Sequence, residues 1–274
     1  MHVAQLIRSA KSGSDWTDNE LFAFNIVIQD VDVATFFGAP QLPPTTVSPI
    51  ILNNVLQPAP PAVISKEDRL FFTYLERANT GEEAPVDDFS GHILRMLNFD
   101  DDERSIATKR ELSFTMCGTR VRAKADIAVL DNAEYSLMVQ NDKVVAVGSS
   151  WGMSMSLTNV KRTTVTDEPK PQLIAEVIAA FVENNRFRVP PLPQQTFPAI
   201  TMVGPCPIFY KIPVTQALVD ALITSQYPVQ PTIVQRLVPP VPDPNSYRRH
   251  GMNPLENRGI VFQCLEAMRA LLVS

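Results

Sequence analysis

Arg120, Arg122, Lys124 and Asp126 occupy every second position of one stretch, alternating with Val121, Ala123, Ala125, Ile127 and Val129. A period of two is the mark of a β-strand, so two arginines and a lysine lead along one face to a single carboxylate. After a polar Asp131-Asn132 turn, a second strand sets Leu137, Val139, Asn141 and Lys143 on one side and Met138, Gln140 and Asp142 on the other. Such a carboxylate admits two kinds of chemistry. Asp126, sharing a strand face with Arg122 and Lys124, either ligates a metal or forms one half of an ordinary cross-strand salt bridge. Lys143, by its position alone, simply ends the second strand in solvent.

A strand Asp, then an acid-x-Lys pattern on the next strand, then an amphipathic helix (PQLIAEVIAAFVENN) resembles the PD-(D/E)XK nuclease-like fold. The resemblance implies two carboxylates on adjacent strands sharing a divalent ion, Mg²⁺ in the first instance, which polarises a phosphodiester and helps activate water. The lysine stands two residues from the second acid because only that spacing keeps both on one face. Here the second acid is replaced by Asn141. An asparagine offers a metal one neutral oxygen, but it removes a full charge and cannot act as a general base. Asp142 is no simple substitute, since adjacent strand residues point to opposite faces unless a bulge re-aims one.

Longer strings extend the likeness. AFNIVIQDVDVATFFG, VDDFSGHILRML, RAKADIAVLD, LMVQNDK, EPKPQLIAEVIAAF, ITMVGPCPIFYKIPVT and GMNPLENR cover most of the chain and are similar to a large group of mostly uncharacterised proteins from mushroom-forming fungi. In that group the lysine stretch usually reads VQEDK. The resemblance therefore carries Asp126 and Lys143 over as catalytic positions and leaves Asn141 as the altered one, with Asp126 and Asn141 at the metal. It also suggests Gln172, in the first turn of the following helix, as a substrate-side residue beside Arg122 and Lys124. The first-helix acid of such a fold would be Asp87, Asp88 or Glu76, although Asp87 and Asp88 also suit helix N-caps.

The elements that must position these residues follow from periodicity. Leu21–Phe37 alternates at Phe22, Phe24, Ile26 and Ile28 and is expected to be a strand followed by a short helix or turn. Prolines recur too often from Ala39 to Ala62 for regular structure, so this stretch is expected to be an ordered wrap or a linker, with Ile50, Ile51, Leu52 and Val55 suggesting that part of it packs. Ser65 begins a helix with Asp68 three residues on, burying Leu70, Phe71, Tyr74 and Leu75. A second helix is expected from Asp87 or Asp88 to near Asn98. Three strands follow at Glu111–Cys117, Arg120–Leu130 and Tyr135–Gln140, then a helix over Pro171–Asn184. Ile200–Pro213 gives one or two strands broken at Gly204-Pro205, Val214–Ile223 a short helix, and Asn253-Pro254 opens the last helix. Residues 144–168 form a long interval that is either a lid or an inserted loop. The expected class is α/β (α+β), a PD-(D/E)XK nuclease-like α-βββ-α-β core with a mixed sheet flanked by helices. Residues 1–64 form an N-terminal extension with a strand and a Pro-rich segment, and residues 65–274 the nuclease-like domain.

Composition bounds the function. A net charge of −5 gives no global attraction to nucleic acid, so any such contact needs a local basic patch. Cys117, Cys206 and Cys264 are too widely spaced for a metal site and suit reduced thiols. His2, His92 and His250 match no ligand spacing, and neither a nucleophile elbow nor a glycine-rich phosphate loop is present. Without a membrane-spanning run or a secretory segment, an intracellular location in cytoplasm or nucleus is expected. Arg248-Arg249-His250 and Lys161-Arg162 are short basic segments that touch phosphates or are merely solvated. Three functions fit the residues: an impaired metal-dependent nuclease, an inactive relative that binds nucleic acid or protein, and an enzyme of fungal specialised metabolism that binds a small molecule in the same pocket.

Overall fold

The computed structural model describes residues 8–101, 103–142 and 169–272. In chain order the elements are α1 (Asp18–Ala23), β1 (Ile26–Asp30), α2 (Val33–Phe37), α3 (Pro49–Asn53), α4 (Lys66–Ala78) and α5 (Glu83–Met96). They continue with β2 (Arg104–Met116), β3 (Thr119–Asp131), β4 (Glu134–Asp142), α6 (Lys170–Asn185), β5 (Gln194–Val203) and β6 (Cys206–Thr215). The last are α7 (Gln216–Thr224), β7 (Thr232–Leu237), α8 (Pro244–His250) and α9 (Leu255–Ala270). One seven-stranded sheet runs in the order β1-β7-β6-β5-β4-β3-β2. It is mixed: β1–β7 and β4–β5 are parallel, the remaining pairs antiparallel. No helix among the described residues is long and apolar enough to cross a membrane.

The expected succession of helix, three strands, helix and strand is present as α5, β2, β3, β4, α6 and β5. A parallel β4–β5 pair needs a crossover, and α6 supplies it. Leu173 through Phe181 are buried without interruption, as in a helix enclosed on nearly all sides. Close approach there is made by small residues. A Cβ added to Gly13, in a short 3₁₀ turn, would stand 3.0 Å from that of Ala123 on β3 and 3.4 Å from that of Ala175 on α6. Elsewhere α4, α5 and α9 meet through Phe71, whose ring centroid lies 5.9 Å from that of Phe89 and 5.7 Å from that of Phe262.

Several elements differ from expectation for identifiable reasons. Leu21 to Ala23 are helical rather than extended, because Thr17 and Glu20 form a capping box in which Glu20 accepts the Thr17 backbone N–H at 2.8 Å. The strand begins only at Ile26, and Phe22 is left exposed. α5 starts at Glu83, four residues before Asp87, the earlier of the two expected starts, because Pro85 falls in the first turn where no N–H is needed. Asp87 and Asp88 therefore lie inside the helix and do not cap it. Arg248, Arg249 and His250 form the last turn of α8 rather than a loop, with cations at the helix end that favours them.

The N-terminal segment is tied into the same body. β1 supplies the sheet edge next to β7. Arg258 on α9, fully buried, donates to the carbonyls of Ile51 and Asn54 at 2.7 Å each, Met252 at 3.0 Å and Asn253 at 3.2 Å. Its guanidinium also lies over Phe71, 5.4 Å from the ring centroid.

Candidate functional site

Asp126 sits where the alternation of β3 gives way to continuous burial. The β2–β3 register passes from Thr108↔Ile127 to Arg110↔Ala125, so Lys109 stands opposite Asp126. Lys109 adopts a left-handed backbone conformation (φ 52°), uncommon for a residue with a side chain, in the middle of an otherwise regular ladder. Its ammonium donates to Asp126 Oδ1 at 2.7 Å and lies 2.7 Å from Asp87 Oδ2 and 3.7 Å from Glu83 Oε1. Burial alone would lower the Lys109 pKa; the hydrogen bonds and charges of Asp126 and Asp87 more than reverse this and hold it above the ordinary lysine value.

The other oxygen of Asp126 is also engaged. Oδ2 accepts from Gln140 Nε2 at 2.7 Å and from the Asn141 backbone N–H at 2.9 Å. Asn141 itself points to α5. Its Oδ1 accepts from Ser90 Oγ at 2.8 Å, and its Nδ2 donates to Asp87 Oδ1 at 2.8 Å. The replaced acid thus serves as a hydrogen-bond donor to a neighbouring carboxylate, and its oxygen is taken by Ser90. Asp87 receives a cation on one oxygen and an amide on the other.

A buried acid lies within electrostatic reach of this cluster. Glu176 on α6 is fully buried; Gln172 Nε2 donates to its Oε1 at 3.1 Å, and its Oε2 has no partner among the described residues. Burial pushes its carboxyl well above the usual glutamate range. The Asp126 charge adds to that rise, while the Gln172 hydrogen bond and the Lys109 ammonium oppose it. Glu176 therefore keeps its proton where ordinary glutamates are ionised.

Among the described residues, Glu83, Asp87 and Asp126 form an acidic group whose ligand atoms all lie within 4.8 Å of one another. Hard carboxylate oxygens suit Mg²⁺ or Mn²⁺, so the donor set fits a divalent ion; the Lys109 ammonium stands among the same atoms. A cleft of about 430 Å³ opens onto the group, bounded by Tyr74, Asp87, His92, Arg95, Lys109 and Asp126.

Of the residues singled out by sequence, Asp126 and Asn141 are brought together with Asp87. Gln172 reaches the cluster only through Glu176. Arg122 is exposed on the same strand face, pairs with Glu111 at 3.0 Å and lines a separate groove with Arg120 and Ser113. Lys124 lies between Arg122 and Asp126, exposed. Glu76 is exposed on α4 and does not line the cleft. Lys143 and the 144–168 interval, with Lys161 and Arg162, lie outside the described residues. Sequence reasoning missed Lys109, Ser90, Gln140 and Glu176. Glu176 had a signal: it is the lone acid in LIAEVIAAF, a helical run with apolar residues on every side. Neither the protein-family models nor the curated proteins contain a match to this chain.

Proposed function

We propose that this chain is a PD-(D/E)XK nuclease-like protein, related to the fungal group its sequence strings resemble, whose metal-dependent phosphodiester hydrolysis is impaired. The fold name is supported by the α5-β2-β3-β4-α6-β5 order, the parallel β4–β5 pair and the bridging of Asp126 on β3 to Asp87 on α5 through Lys109. The observation that carries the functional reading is the Lys109 ammonium, 2.7 Å from both Asp126 and Asp87. A built-in cation satisfies the carboxylates that a divalent ion would need.

Glu83, Asp87 and Asp126 would hold such an ion, which supplies Lewis-acid polarisation of a phosphoryl oxygen when bound. The chain's own residues do the rest. Gln140 and the Asn141 amide fix the orientation of Asp126, and Ser90 fixes that of Asn141. Lys109 must leave Asp87 before a metal gains its full charge, and Asn141 contributes none to replace what Lys109 neutralises. Slow turnover follows.

A second reading, a nuclease fold retained for binding alone, is favoured by the closure of the Asn141 network, in which both side-chain atoms are already paired. Cleavage of plasmid and single-stranded substrates with Mg²⁺ or Mn²⁺ separates the two. Weak activity in the wild type, loss in Asp126→Ala and a strong rise in Asn141→Glu are expected. Absence of cleavage from all three, with each protein folded, would favour the binding reading. Equal cleavage by wild type and Asp126→Ala would remove Asp126 from the reaction.

A further inference from the structure

The β2–β3 hairpin has two unlike faces. Val121, Ala123 and Ala125 are buried, whereas Arg120, Arg122 and Lys124 are exposed. Residues directly opposite in an antiparallel pair share a face, and the register is Thr115↔Arg120, Ser113↔Arg122 and Glu111↔Lys124. The outer face therefore carries three cations against one carboxylate, together with two hydroxyls, on a chain whose net charge is −5. Its basicity is local and does not follow from composition.

The cations are spaced regularly. Two residues of strand advance about 6.8 Å, so the guanidinium and ammonium groups stem from a straight row of nearly equal steps. Ser113 Oγ accepts from Arg120 Nε at 3.0 Å and Nη2 at 2.7 Å, and Glu111 accepts from Arg122 at 3.0 Å. Both arginines remain exposed, and these contacts turn their side chains toward β2. A groove of about 480 Å³ runs beside Glu111, Ser113, Arg120 and Arg122. The next step of the row past Lys124 is Asp126, with Lys109 opposite.

Beyond that point lies the 430 Å³ cleft, in which Tyr74 and His92 form a ring pair with centroids 5.2 Å apart. A cleft of that size accepts a nucleotide but not a duplex, and Asp126 at its base is only 5% exposed. A strand can deliver its backbone there only without its complement, and aromatic faces suit an unstacked base.

We propose that the outer face of the β2–β3 hairpin carries the sugar–phosphate backbone of a single-stranded nucleic acid. Arg120, Arg122 and Lys124 make sequence-independent phosphate contacts and lead the strand into the cleft at Asp126. The direction of travel rests on the nuclease-like reading of the site; the phosphate row does not. Arginine's planar fork suits phosphate oxygens, and the contacts specify position rather than sequence. Glu111 works against the row by occupying Arg122 and facing Lys124.

The test is fluorescence anisotropy of the full-length protein with a labelled oligo(dT), in EDTA so that no metal-dependent cleavage intervenes. With three phosphates neutralised, log Kd should change with log salt with a slope of magnitude about 2. The charge reversal R120E/R122E/K124E should weaken binding by at least about 100-fold at low salt. Glu111→Gln, which needs no residue of the row to change, should tighten it about 3-fold. A duplex of equal length should bind more weakly than the single strand. The proposal is overturned if Glu111→Gln leaves Kd unchanged and the charge-reversed protein, still melting as wild type does, binds equally well. Preference for duplex, or no salt-sensitive binding at all, also overturns it. Failure of the nuclease reading would look different: binding in EDTA would persist while no variant cleaves. Single-strand cleavage unaffected by R120E/R122E/K124E would sink the phosphate row and leave the nuclease reading standing.

Discussion

Asn141→Asp is the sharpest perturbation of the site, because it changes one atom's charge and almost no volume. In the wild type, Asn141 Nδ2 donates to Asp87 Oδ1 at 2.8 Å. The substitution turns that hydrogen bond into two carboxylate oxygens at the same distance. At an effective dielectric constant near 20, unit charges so placed repel by about 6 kcal/mol. Lys109, 2.7 Å from the other Asp87 oxygen, offsets part of this, and Ser90 still donates to the introduced group. A net loss of about 3 kcal/mol is expected in EDTA, lowering Tm by roughly 6–12 °C for a domain of this size. The introduced carboxyl should take up a proton more readily than in an unfolded chain. Its folded pKa is then raised, so the loss is smallest at acid pH and grows as pH rises. Mn²⁺ should reverse it, since an ion at 100 times its Kd returns about 2.7 kcal/mol. Thermal melts of wild type and variant, with EDTA and with Mn²⁺, give the answer. A variant as stable as wild type in EDTA, or one indifferent to Mn²⁺, would show that Asn141 and Asp87 are not coupled in this way.

Other consequences follow from the same interior. Glu176 has a folded pKa raised above its ordinary 4.5, so the stability it contributes is complete below about that pH and is lost as pH rises through the folded value. Glu176→Gln should flatten the pH dependence of urea unfolding above pH ~5 by up to about 1.4 kcal/mol per pH unit and leave the variant the more stable form at alkaline pH; parallel curves would contradict this. Arg258→Met should cost about 4 kcal/mol in equilibrium unfolding, because four carbonyls, two of them in buried hydrogen bonds and two in part-buried ones, lose a charged donor; a cost under 1 kcal/mol would show that they find other partners. Gly251→Ala should also destabilise, since at φ 49° its Cβ would stand 2.2 Å from the Pro205 carbonyl oxygen. A melt unchanged by that substitution would mean that the Pro205–Gly251 contact relaxes freely.

Much of the framework was legible because it rests on period. β3 alternates cleanly from Arg120 to Asp126, and α6 declares itself by proline at its start and an apolar run behind it. Ser65 capped α4 as its type implies, accepting the Asp68 N–H at 3.0 Å. What could not be read was the partner of Asp126. Lys109 lies in the run Thr108-Lys109-Arg110-Glu111, polar throughout and without period, so the letters place the start of β2 only at Glu111. Only the long β2–β3 register sets it opposite Asp126, and no local pattern reports a left-handed lysine within a strand. Asn141 was identified as the altered acid, but its role depends on Ser90 and Asp87, more than fifty residues upstream. β7 was missed for a different reason. TIVQRL is short and bounded by prolines, and it becomes a strand because β1 and β6 pair on either side of it. The capping box at Thr17 and Glu20, by contrast, was present in the letters.

Lys109 occupies the cation position among Glu83, Asp87 and Asp126. Calorimetric titration of Mn²⁺ into wild type and Lys109→Ala, both in metal-stripped buffer, tests it directly. Wild type should bind weakly, and Lys109→Ala at least about tenfold more tightly, a gain near 1.4 kcal/mol. That gain should disappear when Asp126→Ala is added. Equal affinities, or a wild type that already binds the tighter of the two, would contradict it.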